Sequence, residues 1–153
     1  MKDIYRVVLF GHRDFNGYRK IDQSLFELLT RIISEKKYVE IYIGHNGEFD
    51  VYAASIVKSV QRVLGKSNNE LICILPYVNK NVEYYEKYYD RVEVFDCITK
   101  CHPKRAITQR NRWLVETCDL IICYIERRNG GAYEAVKHAD KLNKEVINLA
   151  YLQ

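Results

Sequence analysis

No stretch of this 153-residue sequence approaches the ~18 uninterrupted apolar residues that a membrane-spanning helix requires. The start, Met1-Lys2-Asp3-Ile4, runs at once into a strand-like segment and lacks the apolar core of a secretory signal. A cytoplasmic protein without a membrane partner is the expectation. Cysteine is present at the odd count of five, and Cys73 and Cys123 sit inside apolar strand-like runs. That pattern suits reduced, buried thiols and not a disulfide framework. Cys97, Cys101 and His102 form a C-x3-C-H cluster whose spacing matches no common zinc pattern, and no second ligand pair accompanies it. An ordinary loop is expected there, with no metal. The sequence also lacks a Walker loop and a complete dinucleotide fingerprint, and no cofactor is expected. Charge of one sign is nowhere concentrated: the net charge is +4, with Lys and Arg interspersed among Asp and Glu. A dedicated nucleic-acid binder gathers its positive charge more visibly, so the composition argues against a nucleic-acid partner.

What is present is a globular balance, 48% hydrophobic and 29% charged residues, in a chain long enough to bury a core. Apolar runs of strand length alternate with stretches of helical period. Tyr5 to Phe10, Val39 to Ile43, Leu71 to Leu75, a weaker Val92 to Phe95, Leu120 to Tyr124 and Val146 to Leu149 read as strands. Ile21 to Ile33, Tyr52 to Leu64, Ala106 to Thr117 and Ala132 to Leu142 read as helices, with apolar side chains on one face of each. Parallel neighbours need crossover connections, so the alternation predicts an α/β, Rossmann-like three-layer sandwich. Its mostly parallel sheet would carry helices on both faces. With no repeat, low-complexity tract or long linker, residues 1–153 read as one domain.

Ligands of such sheets sit beyond the carboxyl ends of the strands, near the point where strand order reverses. Three strand-end segments carry suitable chemistry. Gly11-His12-Arg13-Asp14 follows the first strand; its glycine permits a tight turn or close ligand approach, and Arg13 offers a planar fork of donors. Gly44-His45-Asn46-Gly47-Glu48-Phe49-Asp50 follows the second and leads into a helix whose N-terminus attracts anions. Asp50 reads as a helix N-cap or as an acceptor for a ribose hydroxyl. Glu126-Arg127-Arg128-Asn129-Gly130-Gly131-Ala132-Tyr133-Glu134 follows the most apolar strand. Basic side chains, paired glycines and a helix start are the parts of a phosphate cradle. A turn accounts for Asn129-Gly130 but leaves the second glycine unexplained.

Upstream, Gln109 to Glu116 lies on an expected helix. Arg112 and Glu116 stand at i, i+4 and either pair on its surface or, with Asn111, face the crevice above a buried Trp113. Tyr84, Tyr85, Tyr88 and Tyr89 form two i, i+4 pairs. Packing onto the sheet or a partner subunit is their commoner use, with stacking on a base the alternative.

Taken together, Gly11-His12-Arg13, Gly44-x-x-Gly47-x-Phe49-Asp50 and Asn111-Arg112-Trp113 through Gly130-Gly131-Ala132 resemble the SLOG superfamily of Rossmann-like proteins. The likeness is greatest to the small bacterial and phage branch related to YpsA and covers nearly the whole chain. The superfamily also includes the Lonely Guy phosphoribohydrolases, the DNA-processing protein DprA and nucleotide-sensing domains. The resemblance implies a nucleotide or sugar-nucleotide partner with its phosphate at the glycine loops. The ligand-binding set is then Gly11, His12, Arg13, Gly44, Asn46, Gly47, Asp50, Asn111, Arg112, Arg128, Gly130, Gly131 and Ala132. Related binders commonly pair, so a homodimer is expected.

Lonely Guy enzymes carry P-G-G-x-G-T-x-x-E, whose Glu attends the N-glycosidic bond. Here Asn129 replaces the proline, the G-T pair is missing, and Glu134 falls three residues early. The sequence therefore favours binding, by a sensing or sequestering module, over catalysis. The alternative is a hydrolase cleaving the N-glycosidic bond of a nucleoside 5′-monophosphate, with Arg112 and Glu116 or Glu134 as its catalytic groups.

Overall fold

The computed structural model describes residues 3–17, 19–95 and 102–151. Cys97 and Cys101 of the C-x3-C-H cluster lie outside them. Six strands form one sheet: β1 (Ile4–Gly11), β2 (Tyr38–Ile43), β3 (Asn69–Leu75), β4 (Arg91–Val94), β5 (Leu120–Tyr124) and β6 (Glu145–Asn148). Between them run α1 (Asp22–Glu35), α2 (Glu48–Leu64), α3 (Val82–Tyr88), α4 (Pro103–Thr117) and α5 (Gly131–Lys141). The spatial order is β4-β3-β2-β1-β5-β6, and every pairing is parallel. The expected Rossmann-like sandwich is thus the fold observed.

The two apolar sets along the strands separate cleanly by face. Val7, Leu9, Ile41, Ile43, Leu71, Cys73 and Ile122 point to the side covered by α1 and α2, where Leu25, Leu29, Ala53, Val57 and Val60 meet them. Val8, Phe10, Ile72, Ile74, Ile121 and Cys123 point to the other side, under Leu114 and Val115 of α4 and Ala135 and Ala139 of α5. Alternation along each strand builds both cores at once. Each fully buried Leu or Ile contributes roughly 1.5–3 kcal/mol. The thiols of Cys73, Cys118 and Cys123 are free and buried. Burial pushes Cys73 and Cys123 up to about 12, so neither is a reactive thiolate at neutral pH.

Four details were not read from the sequence. The second helix begins at Glu48, four residues before the expected Tyr52, with Gly47 and not Asp50 as its N-cap. Asp50 therefore sits inside the first turn. Trp113 is not buried beneath α4: it is 37% exposed and packs edge-on against Tyr42 and at a tilt on Phe95. The tyrosine cluster divides, because Tyr89 is buried and bonds His45 Nδ1 at 2.6 Å while Tyr84 stays exposed. Glu40, in a strand read as apolar, is held by Arg6 at 3.0 Å, Arg91 at 3.1 Å and the Tyr42 hydroxyl at 2.8 Å.

Beyond β1 the chain proceeds through α1 to β2, and β5 enters on the other flank of β1. Strand order therefore reverses between β1 and β5, and a crevice opens at their carboxyl ends.

Candidate functional site

The crevice is a cavity of about 800 Å³ walled by the loops after β1, β2 and β5 and by the amino-terminal half of α4. Gly11, His12, Arg13, Gly44, Asn46, Gly47, Asp50, Asn111, Arg112, Gly130, Gly131, Ala132 and Glu134 all line it. Two expected site residues do not. Arg128 is exposed outside the lining, and Arg127 takes its place. Glu116 also lies outside, one helical turn beyond Arg112; its carboxylate meets His138 Nε2 of α5 at 2.9 Å. The sequence showed a carboxylate at i+4 from Arg112 but not that α5 supplies a nearer partner.

The glycines have structural duties as well as open space to give. A Cβ on Gly11 would fall inside the Phe49 ring, and one on Gly47 would meet Arg13 Cα at 2.6 Å. At Gly44 it would meet Arg110 Nη1 at 2.9 Å. These three let protein groups approach protein backbone. Gly130 is different: its φ of +96° favours glycine, and a Cβ there would meet nothing within 4 Å. As N-cap of α5 it opens the first turn of that helix, whose N–H groups have no intrahelical acceptor, at the cavity wall. Gly131 is equally uncrowded, with only Asn111 Nδ2 nearby at 3.7 Å.

Beneath the crevice lies Arg110, which sequence reasoning missed. It is 4% exposed, and its guanidinium donates to Ile74 O at 3.1 Å and to Asn111 Oδ1 at 3.2 and 2.8 Å. With its amide oxygen turned to the guanidinium, Asn46 accepts from Nη1 at 3.1 Å and Nη2 at 2.8 Å. One cation thus ties β3, α4 and the β2–α2 loop together. The half-buried Asp50 is the counter-charge: desolvation raises its pKa, while the Asn46 N–H, at 3.0 Å, and Arg110 oppose that rise. Burial also lowers the pKa of Arg110, with Asp50 opposing. Asp50 therefore balances a buried cation. The signal in the sequence was phase: Arg110 falls midway between the buried Ala106 and Leu114, four residues from each.

His12 is a second keystone. It is 7% exposed, and its Nε2 accepts from the backbone N–H groups of Glu126 at 3.0 Å and Arg127 at 3.1 Å. A nitrogen that accepts two bonds carries no proton, so the neutral ring bears its hydrogen on Nδ1. Burial, then the Arg127 charge, hold its pKa below the usual value. Through His12 the β1 loop sets the β5 loop, and Arg127 pairs across the mouth with Asp14 at 2.6 and 2.8 Å. That guanidinium draws the Asp14 pKa down to about 2. Arg13, Lys104, Arg110, Arg112 and Arg127 outnumber Asp14, Asp50 and Glu134 in the lining.

This geometry can be set beside known proteins. No protein-family model matches the chain, and no curated protein matches it either. Solved structures do. The fold resembles that of DprA. The DNA processing protein A of Streptococcus pneumoniae superposes with a TM-score of 0.66 at 15% identity, over 94% of this chain and 49% of that one. The Helicobacter pylori protein superposes with a TM-score of 0.61 at 16% identity, over 93% and 63%. The chain spans about half to just under two-thirds of the length of these proteins. At such identity the likeness establishes the fold. The motif resemblance to the YpsA branch and to Lonely Guy enzymes rests on sequence alone.

One expectation is corrected. The mild, mixed charge was read as arguing against a nucleic-acid partner, yet the Helicobacter pylori DprA of this fold is described by its single-stranded DNA binding mode. Whole-chain charge is a poor guide here because the cations gather locally, at the cavity rim. Among the described residues, no helix is long and apolar enough to cross a membrane.

Proposed function

We propose that the chain is a nucleotide-binding domain that takes a nucleotide phosphate at the Gly130-Gly131 turn, inside the cavity between β1 and β5. The observation that carries this reading is the convergence of a glycine-opened helix start with Arg13, Arg112 and Arg127 on one cavity. Backbone N–H groups and the helix dipole favour an anion there, and the guanidinium groups add charge-assisted bonds.

A phosphate of this kind comes from a free nucleotide or from a unit of single-stranded DNA. The structural likeness to DprA supports the second source, and the confined volume the first. Salt separates them, because a polymer that releases several counterions weakens steeply with ionic strength. Glycosidic hydrolysis draws less support: of the two candidate carboxylates only Glu134 lines the cavity, exposed and 3.7 Å from Lys137.

Thermal-shift and calorimetric titrations with nucleoside monophosphates and with oligothymidylate test the reading. Arg112→Ala should weaken binding about ten- to a hundredfold, the effect of losing a bond worth roughly 1.5–3 kcal/mol. Affinity unchanged in that variant would place the phosphate elsewhere.

A further inference from the structure

A second, smaller cavity of about 360 Å³ is lined in part by the same Asp14–Arg127 pair. It shares His12, Asp14 and Arg127 with the large one, but its chemistry is different. The large cavity is walled by glycine and cations. The small one is walled by the rings of Phe15 and Tyr124, which meet edge to face at 5.0 Å, and by the carboxylates of Glu48 and Glu126. Gly17 packs against both rings, where a Cβ would stand 2.8 Å from Phe15 and 3.0 Å from Tyr124.

Among the donors of this lining are Asn16, Arg127 and His12. His12 Nδ1–H has no hydrogen-bond partner among the described residues, although the residue is 7% exposed. Thr30 Oγ1 is the fully buried side-chain polar atom left unsatisfied among them. Nδ1 therefore keeps access to solvent, and His12 lines both cavities. Glu126 is exposed, its carboxylate beside the Tyr124 hydroxyl. The lining thus offers the N–H of a neutral imidazole, a carboxylate and an apolar wall.

We propose that the small cavity is a base pocket that selects guanine. Guanine alone among the common bases presents one acceptor, O6, next to two donors, N1–H and the 2-amino group. His12 Nδ1–H would donate to O6, and the Glu126 carboxylate would accept from both nitrogens, a bidentate pairing. Adenine presents the reverse order, a donor amine beside the N1 lone pair, and sets that lone pair against the carboxylate. Hypoxanthine keeps O6 and N1–H but lacks the amine. The inference rests on the proposed phosphate site, because a nucleotide lying across the Asp14–Arg127 pair would then occupy both cavities.

Calorimetry with GMP, IMP, AMP, guanosine and adenosine, on the wild type and on Glu126→Gln, tests it. The affinity order should be GMP, then IMP, then AMP, with GMP over AMP by about tenfold or more. Glu126→Gln, at an exposed position, should fold normally and should collapse that ratio towards one. Guanosine should keep the preference over adenosine at lower affinity. Equal binding of GMP and AMP, or a preference that survives Glu126→Gln, overturns the base pocket while leaving the phosphate site standing. Guanosine binding as tightly as GMP overturns the phosphate site and leaves the pocket. Failure of every ligand to bind overturns both.

Discussion

Arg110 and His12 do what glycine and arginine motifs cannot do alone, which is to fix where the loops stand. His12 is the more easily perturbed of the two, because its role depends on an unprotonated Nε2. Its pKa is lowered in the folded state, so between that value and the ordinary ~6.5 the unfolded chain binds the extra proton. The stability it contributes is complete above about pH 6.5 and is lost as pH falls through the folded pKa. His45, half-buried beside Tyr89, is lowered too by desolvation and adds to the same slope. Melting temperature measured from pH 8 to pH 5 should therefore fall, and His12→Gln should flatten part of the fall. An identical profile in that variant would mean that His12 does not latch the β5 loop. Neither keystone was legible as such in the sequence. Gly11-His12-Arg13 marks a strand end, but whether its histidine meets ligand or backbone depends on a segment more than a hundred residues away.

Among the elements, α5 presents its glycine-opened start to the cavity, and the two glycines there should behave differently. Gly130→Ala forces a side chain into a left-handed conformation at a cost of about 1–2 kcal/mol, lowering the melting temperature by a few degrees. Gly131 lies within the helix with an ordinary contact at 3.7 Å, so Gly131→Ala should leave stability unchanged or slightly raised. Both methyl groups would intrude on the cavity, so both variants should lose ligand. A stable Gly130→Ala that binds normally would refute the proposed role of this turn. The strands and four of the five helices followed from periodicity, α3 having been read only as a cluster of tyrosines, and β5 matches its expected limits, because a wholly apolar run of five has one use in this fold. The start of α2 was misplaced by four residues: Glu48, Phe49 and Asp50 are polar or bulky, yet each meets a tertiary partner, Glu48 accepting from the Phe15 N–H at 3.3 Å. Phe49 fills the space Gly11 leaves, and Asp50 faces Arg110. Tertiary partners set that boundary, and no local pattern reports them.

For the whole molecule, topology turns a set of weak motifs into a site. Reversal of strand order between β1 and β5 brings residues near positions 12, 46, 111 and 130 to one crevice. That convergence could be anticipated from strand-helix alternation alone. What alternation did not show was local charge: a chain of net charge +4 places Arg13, Lys104, Arg112 and Arg127 around a single cavity. The most direct test of the central claim is an amide chemical-shift titration of the uniformly labelled protein with a nucleoside 5′-monophosphate and, separately, with the matching nucleoside. The account predicts that the monophosphate displaces the backbone signals of residues 129–132 strongly and those of 11–14 and 44–47 to a lesser degree, with the nucleoside sparing 129–132. Saturating monophosphate that leaves 129–132 unmoved, or that perturbs a surface away from the crevice, would contradict it.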